Sequence, residues 1–279
     1  MENGTVTAAP TRRIVFLDVD GTILDHGTSV AASTVEAITS ARRAGHLVYL
    51  CTGRSAGDIH PEVRAIGFDG AITNGGAFAT SGGETLLART MPVQAVTLLT
   101  DYFDEHGIHY FLQSDARVYG GRRVREMFVE LVHRLRSGTD PLIVPNVHDL
   151  STADRTQIAK AVFMSESPGM VAQLQTDLGE HFHVVPGSMP LPGGSNGEVG
   201  MRGTTKGSAI LHVLAHLGAD PATAIGIGDS WNDVEMFEVC GIGIAMGNAD
   251  PELQALADEV TTSVTADGVY NAFLRHGLI

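Results

Sequence analysis

Residues 13–22, RIVFLDVDGT, place a short apolar run directly before two aspartates and a glycine. The run is rich in β-branched and other apolar side chains, which predicts a strand buried on both faces. Asp18 and Asp20 follow at its carboxyl end, the edge of an open α/β sheet where ligands bind. Because residues i and i+2 of an extended chain point the same way, both carboxylates are expected to face one site.

Strand and helix signals alternate outward from this segment. Residues 29–45 have apolar side chains at helical spacing, and residues 46–53 and 68–74 are predicted strands. The last 75 residues repeat the alternation, with a predicted helix at 204–218 and a strand at 222–229. Short strand–helix–strand units imply right-handed crossovers. We therefore expect an α/β fold, a Rossmann-like parallel sheet with helices on both faces.

The middle of the chain has a different pattern. Between residues 91 and 190 the order of signals is helix, two strands, helix, strand, helix, strand. This order predicts a compact α+β domain inserted into the first. The expected division is a core made of residues 1–90 and 191–279, and an inserted cap made of residues 91–190.

A second polar motif, Thr52-Gly53-Arg54, follows the second predicted strand. A hydroxyl and a glycine amide at a strand end are suitable donors for phosphoryl oxygens. Lys206 lies in the first turn of a predicted helix, where the macrodipole disfavours a cation, so an anion bound at that terminus would explain it. Taken alone, each motif also fits an ordinary turn or a solvated lysine.

The fourth motif, Gly228-Asp229-Ser230-Trp231-Asn232-Asp233, follows the strand predicted at 222–229. Asn232 and Asp233 come three and four residues after Asp229, so all three are expected to face the same end of the following helix. Helix capping explains one such Asp or Ser but does not require this whole set.

Composition limits the partners. The chain has 279 residues, a net charge of −14, 43% hydrophobic residues and 18% charged residues, which indicates a soluble globular protein. The negative charge argues against nucleic acids and anionic membranes as partners. Two cysteines, Cys51 and Cys240, lie in apolar runs and are predicted to be buried thiols. No signal peptide or membrane span is visible, so a cytoplasmic location is expected; the oligomeric state stays open.

In this order the four motifs resemble the haloacid dehalogenase-like hydrolase superfamily, and within it the Cof-type sugar-phosphate phosphatases. Further similar features are Asn74-Gly75, Glu198-Val199, Asp267-Gly268-Val269 and the cap-sized insertion. The resemblance implies that Asp18 is the nucleophile, which forms an aspartyl-phosphate, and that Asp20 is the general acid and base.

The same resemblance implies the ligand sets. Mg²⁺ would be held by Asp18, the backbone carbonyl of Asp20, and Asp229. The phosphoryl oxygens would be held by Thr52, Gly53, Asn232 and Lys206, which is also counted as catalytic, while Asp233 would orient Lys206 or a metal-bound water. Independently, a carboxylate attacking a phosphate dianion at ~4 Å meets several kcal/mol of repulsion. A divalent cation and an ammonium group offset it, and Mg²⁺ suits oxygen ligands.

The expected function is a Mg²⁺-dependent phosphomonoester hydrolase, a phosphatase, acting on small phosphorylated metabolites. The alternatives are a phosphosugar mutase of the same superfamily and a non-catalytic protein that binds phosphorylated metabolites. Specificity is expected to lie in the cap, whose loops close over the site. The candidate cap residues, which the sequence does not rank, are Arg117, Arg122, Arg123 and His183.

Overall fold

A computed structural model describes residues 12–25, 29–127, 147–187 and 193–279. Its strands are β1 (Ile14–Leu17), β2 (Leu24–Asp25), β3 (Ser29–Val30), β4 (Leu47–Cys51), β5 (Gly70–Thr73), β6 (Phe78–Ser81), β7 (Glu84–Ala88), β8 (His109–Gln113), β9 (Val118–Gly120), β10 (Val147–Asp149), β11 (Lys160–Ser165), β12 (Phe182–Pro186), β13 (Ser195–Met201), β14 (Ala224–Gly228), β15 (Ile242–Ala245) and β16 (Glu259–Val260). Its helices are α1 (Ala32–Arg43), α2 (Pro61–Ile66), α3 (Val93–Glu105), α4 (residues 122–127), α5 (Met170–Leu178), α6 (Lys206–Leu217), α7 (Val234–Val239), α8 (Pro251–Gln254) and α9 (Gly268–Arg275).

The first sheet has the strand order β16-β15-β14-β1-β4-β5-β6-β7. The strands from β16 to β5 pair in parallel, whereas β6 and β7 pair antiparallel at one edge. The hairpin between β6 and β7 turns at Gly82-Gly83, with φ values of +56° and +87°. Two positive φ angles are what a two-residue hairpin turn needs. The predicted α/β class is confirmed, with an antiparallel extension that was not predicted.

Strand β1 shows why helices cover both faces of this sheet. Val15 and Leu17 pack into an apolar cluster with α1 and α9, whereas Ile14 and Phe16 pack on the other side with α6 and α7. Side chains alternate between the faces of a strand, so a strand with four buried apolar residues must be covered on both sides. The carboxyl end of β1 is therefore held rigidly in the middle of the sheet.

The second sheet has the strand order β10-β9-β8-β11-β13-β12. Apart from the parallel pair β9–β10, its neighbours are antiparallel. Helices α3 and α5 cover one face, where Leu99, Phe103 and Leu174 pack against Phe163 and other strand residues. The helices therefore lie on one side of a mostly antiparallel sheet, which is an α+β arrangement.

The expected cap boundary needs a correction at its C-terminal end. The predicted border between residues 190 and 191 lies outside the described residues. Strand β13, which was assigned to the core, pairs with β11 and β12 and completes the second sheet. Its sequence, SNGEVGM, contains two glycines and one strongly apolar side chain, so periodicity did not predict a strand there. The second sheet extends to Met201.

Two smaller predictions concern burial and membranes. Cys51 and Cys240 are both buried free thiols, as predicted. None of the helices in the described ranges has the length and hydrophobicity needed to cross a lipid bilayer. The predicted cytoplasmic location stays a prediction. The second of the three helices predicted between residues 91 and 190 lies partly outside the described residues, which stop at residue 127 and resume at 147.

Candidate active site

Three neighbouring parallel strands deliver polar residues to one edge of the first sheet. Asp18 follows β1, Thr52 follows β4 and Asp229 follows β14. Because β14, β1 and β4 are adjacent and parallel, their carboxyl ends meet at the same edge. Backbone hydrogen bonds continue the sheet pattern past the strand ends, since Asp18 N donates to Ile227 O at 2.9 Å and Thr52 N donates to Ile72 O at 2.9 Å.

Lys206 joins this edge from the start of α6. Its ammonium Nζ lies 2.6 Å from Asp18 Oδ1 and 2.5 Å from Asp233 Oδ1. The side chain is 1% exposed. Burial lowers the pKa of Lys206, but the two carboxylates outweigh burial and raise that pKa well above its ordinary value. Lys206 is therefore a fixed positive charge beside Asp18.

Asp233 positions its neighbours. Its Oδ1 accepts from Lys206, and its Oδ2 accepts from the backbone N–H groups of Asp229 and Ser230, each at 3.0 Å. Both oxygens therefore have partners, and the side chain has no exposed surface. This arrangement fits a residue that orients Lys206 and the Asp229 loop.

Carboxyl oxygens of Asp18, Asp229 and Asp233 all lie within 4.8 Å of one another. Burial raises the pKa of Asp18 to about 7, against the effect of Lys206, and burial together with the charge of Asp18 raises the pKa of Asp229 to about 8. Three carboxylates this close disfavour one another's ionisation, and the Lys206 ammonium supplies only one positive charge among them. The donor set therefore fits a divalent cation that prefers oxygen ligands.

Gly21 and Thr22 shape the space around Asp229. A Cβ atom at Gly21 would lie 2.0 Å from Asp229 Oδ2, and Gly21 has a φ of +83°. Only glycine avoids both the collision and the strained backbone at this position. The Thr22 hydroxyl donates to Asp229 Oδ1 at 3.1 Å and orients that carboxylate.

The Asp20 side chain lies outside the carboxylate cluster because it pairs with Arg54. Arg54 Nε donates to Asp20 Oδ2 and Arg54 Nη2 donates to Asp20 Oδ1, each at 2.7 Å. Such a two-bond guanidinium–carboxylate contact fixes the orientation of both groups. The role predicted for the Asp20 backbone carbonyl as a metal ligand is not tested by this contact and stays a prediction.

The residues predicted to bind phosphate lie around Gly53. Thr52 Oγ1 accepts from the Arg54 backbone N–H at 3.1 Å. A Cβ atom at Gly53 would lie 3.4 Å from Asn232 Nδ2, so the amide of Asn232 approaches this turn. Within the described residues, the buried Oδ1 atom of Asn232 has no hydrogen-bond partner. The structure brings these residues together, while their roles stay predictions.

A cavity lies between the two sheets above this edge. Its volume is about 30 Å³, room for one or two water molecules. Residues from the second sheet and from the loops and helices of the first line it: Asn74, Gly75, Lys160, His183, Val185, Glu198, Gly200, Thr204, Thr205, Lys206, Asn232 and Glu235.

Of the four cap residues named from the sequence, His183 alone is among those that line this cavity. His183 Nε2 lies 3.2 Å from Glu235 Oε1, a contact between β12 and α7. Burial raises the pKa of Glu235, but the hydrogen bond with His183, a backbone hydrogen bond and the charges of His183 and Lys206 together outweigh burial and lower that pKa. Arg122 instead pairs with Glu126 at the surface, where its side chain is 87% exposed.

Sequence reasoning missed several residues at the site. Arg54 belongs to a quoted motif but received no role, although its position beside a predicted phosphate turn was a signal. Glu198 was noted only as a feature of the resemblance, and Lys160 was not noted at all. A lysine opening an otherwise apolar strand, KAVFMS, was the available signal for Lys160.

The fold and the site together define an α/β protein with a carboxylate–lysine centre at the strand ends and a second sheet over it. The model of the haloacid dehalogenase-like hydrolases matches residues 15–273, and the chain belongs to that family. The predicted membership, including the Cof type, is confirmed by the family model and the relatives.

Two curated relatives and one solved structure illustrate the similarity. The pyridoxal phosphate phosphatase YbhA of Escherichia coli is 28% identical over 278 residues, which cover 95% of this chain and 99% of YbhA. The 5-amino-6-(5-phospho-D-ribitylamino)uracil phosphatase YwtE of Bacillus subtilis is 27% identical over 275 residues, which cover 92% of this chain and 95% of YwtE. The structure of the phosphatase BT1666 from Bacteroides thetaiotaomicron has a TM-score of 0.81 and 26% identity, with full coverage of both chains. The predicted class of enzyme, a phosphatase, is confirmed.

Proposed function

We propose that this chain is a Mg²⁺-dependent phosphomonoester hydrolase that acts on small phosphorylated metabolites, sugar phosphates among them, through an aspartyl-phosphate on Asp18. The observation that carries the proposal is the contact of Lys206 with Asp18 and Asp233 at the edge where Asp229 also lies. A phosphate ester needs positive charge on its oxygens and a carboxylate near its phosphorus. This edge of the sheet offers both.

Asp18 attacks phosphorus in the proposed first step. A bond forms between a carboxylate oxygen of Asp18 and phosphorus, the bond from phosphorus to the leaving oxygen breaks, and Asp20 donates a proton to that oxygen. In the second step water attacks phosphorus, Asp20 takes its proton, and the bond to Asp18 breaks.

Lys206 and the turn at Thr52 and Gly53 hold the phosphoryl oxygens in this proposal, with Asn232. Lys206 has three N–H donors, and among the described residues two of them have acceptors, Asp18 and Asp233, so one donor serves a phosphoryl oxygen. Asp18, the Asp20 carbonyl and Asp229 are the proposed Mg²⁺ ligands, and the bound cation supplies the charge that offsets repulsion between Asp18 and the phosphate dianion.

Release of inorganic phosphate tests the proposal. The purified chain is incubated with hexose phosphates, glycerol 3-phosphate, pyridoxal phosphate and p-nitrophenyl phosphate, with Mg²⁺ and again with excess EDTA. We expect turnover of at least one ester with Mg²⁺ and none with EDTA. A phosphosugar mutase would move phosphate within the sugar and release little, and a non-catalytic protein would release none, so either result would overturn the proposal.

Asp18→Asn tests the nucleophile. The substitution is nearly isosteric, so we expect an unchanged fold and a loss of kcat of about a thousandfold or more. The matched control is Asp177→Asn, because the Asp177 carboxylate contacts the Tyr102 hydroxyl in the second sheet's helices, away from the site. Full activity in Asp18→Asn, with the melting temperature of the parent, would assign the attack to another residue.

A further inference from the structure

The second sheet presents an ion pair to the first. On β11, Ala161 and Phe163 face the helices α3 and α5, so Lys160 and Val162 face the opposite side. The antiparallel register sets Lys160 opposite Gly200 and Val162 opposite Glu198. Lys160 and Glu198 are therefore diagonal neighbours on the face without these helices. Lys160 Nζ lies 2.7 Å from Glu198 Oε2.

This pair contacts the turn predicted to bind phosphate. A Cβ atom at Gly53 would lie 2.9 Å from Glu198 Oε1 and 3.2 Å from Lys160 Nζ. The Lys160 side chain is 3% exposed and that of Glu198 is 23% exposed. Both residues line the cavity between the sheets, next to Lys206 and Asn232. The pair therefore lies beside the residues proposed to hold the phosphoryl group, on the side of the second sheet.

Stability does not account for charges at these strand positions. Burial lowers the pKa of Lys160, although Glu198 acts in the opposite direction. A buried ion pair gives a protein little or no stability over apolar side chains of the same size. The neighbouring positions on the same face, Val162 and Val185, show that apolar residues fit there.

The charge balance of the wall indicates what the pair recognises. Apart from Lys206, which Asp18 and Asp233 neutralise, the described wall has the Lys160 ammonium and two carboxylates, Glu198 and Glu235, of which Glu235 contacts the His183 imidazole. A neutral leaving group with hydroxyls accepts from the ammonium and donates to a carboxylate. A leaving group with its own carboxylate meets a cation that is already paired, beside two negative charges.

We propose that Lys160 and Glu198 form a specificity-determining pair that contacts hydroxyls of the leaving group and rejects leaving groups with a negative charge. This inference rests on the proposed phosphatase function and concerns the same site. Glycerol 3-phosphate and 3-phosphoglycerate are suitable probes, because they differ only in a CH₂OH group against a carboxylate. The parent protein is expected to have the higher kcat/KM for glycerol 3-phosphate.

Glu198→Gln gives the decisive measurement. The change keeps the size of the side chain and leaves the Lys160 charge uncompensated, so kcat/KM for 3-phosphoglycerate relative to glycerol 3-phosphate should rise at least about tenfold. Lys160→Met should lower kcat/KM for glycerol 3-phosphate without raising kcat/KM for 3-phosphoglycerate. Hydrolysis of p-nitrophenyl phosphate, which offers no hydroxyls to the pair, should fall less than hydrolysis of glycerol 3-phosphate in both variants.

The matched control is Asp149→Asn. Asp149 lies on β10 of the same sheet, pairs with Arg125 at 3.1 Å, and its side chain is 52% exposed. The substitution removes one negative charge away from the cavity, so kcat/KM for 3-phosphoglycerate relative to glycerol 3-phosphate should stay at the parent value. A parent preference for 3-phosphoglycerate, or an unchanged ratio in folded Glu198→Gln with p-nitrophenyl phosphate still hydrolysed, would overturn the pair's role alone. Absence of hydrolysis of every ester by the parent would overturn the proposed function and this inference with it.

Discussion

Arg54 controls where the Asp20 carboxylate lies. The two hydrogen bonds of 2.7 Å hold Asp20 away from the cluster of Asp18, Asp229 and Asp233. A lysine in place of Arg54 keeps the charge but offers no planar pair of donors. Asp20 would then have many orientations, of which few suit proton transfer to a leaving oxygen.

We therefore expect Arg54→Lys to lower kcat about tenfold or more for alkyl phosphates, a part of what a general acid contributes. The loss for p-nitrophenyl phosphate should be smaller, because its leaving group needs no proton. The control is Arg42→Lys, since Arg42 makes the same kind of two-bond contact with Asp69, at 2.9 and 3.0 Å, without contacting the site. Equal losses for both kinds of ester would contradict a role through Asp20.

The individual site residues were predictable where backbone geometry alone decides their place. Asp18 and Asp229 end adjacent parallel strands, so their approach follows from the alternation of strands and helices. The direction of the Arg54 guanidinium does not follow from it, because a long side chain after a turn reaches several partners. The contact of Lys160 with Gly53 depends on how two sheets pack, which no local pattern encodes.

At the scale of secondary-structure elements, the start of α6 sets the position of Lys206. Thr205 Oγ1 accepts from Ser208 N at 3.2 Å, and Ser208 Oγ accepts from Thr205 N at 3.1 Å. This reciprocal cap satisfies two backbone donors of the first turn. The cap also opposes unwinding of the turn that carries the buried ammonium.

Thr205→Ala should lower the free energy of unfolding by about 1 kcal/mol. It should also reduce kcat several-fold, because the helical turn that carries Lys206 is then held less rigidly. Thermal melting and initial rates measure both effects. Asp220→Ala is the control, since Asp220 accepts from Ala222 N at 2.9 Å and caps a short turn away from the site. We expect Asp220→Ala to lower the free energy of unfolding and to leave kcat unchanged. A loss of stability without a loss of rate in Thr205→Ala would show that the two carboxylates suffice to place Lys206.

The elements themselves were predicted unevenly for a physical reason. Strands such as β1 and β14 are buried on both faces and read as apolar runs, so the parallel part of the first sheet was predicted. Strand β6, FATS, and the edge strand β7, ETLLA, have at most two large apolar side chains each and are only partly buried, although Gly82-Gly83 is a hairpin signal. Strand β13 is held by its two neighbours in the sheet rather than by its own β propensity.

On the scale of the whole molecule, Asp115 joins the two sheets. It lies in the turn between β8 and β9, and its Oδ1 accepts from Thr73 Oγ1 at 2.7 Å, Asn74 Nδ2 at 3.0 Å and Ala56 N at 3.2 Å. The Asp115 carbonyl also accepts from Gly57 N at 3.0 Å. These contacts hold the turn against the loops that follow β4 and β5.

Asp115→Ala should therefore favour separation of the sheets. Hydrogen bonds to a charged acceptor contribute about 1.5–3 kcal/mol. We therefore expect a protease to cleave the two connections between the sheets, from β7 to α3 and from β13 to α6, faster than in the parent. We also expect a lower kcat/KM for glycerol 3-phosphate. The loss for p-nitrophenyl phosphate should be smaller. Asp177→Asn removes a contact within the second sheet's own helices and should leave cleavage unchanged. Identical cleavage of Asp115→Ala and the parent would show that other contacts hold the sheets together.

The connection between β13 and α6 is short, and the second sheet can rotate about it relative to the first. Four residues, 202–205, separate the strand from the helix, and Gly203 among them has a φ of +77°. Glu198 lies three residues before the end of the strand at Met201, about 10 Å along it at ~3.3 Å per residue. A rotation of about 20° at the connection would carry Glu198 through an arc of about 3.5 Å on that radius. This displacement is enough to end its contact with Gly53. Because this rotation also breaks the Asp115 contacts, those hydrogen bonds and the torsional stiffness of the four residues together determine how readily the site opens.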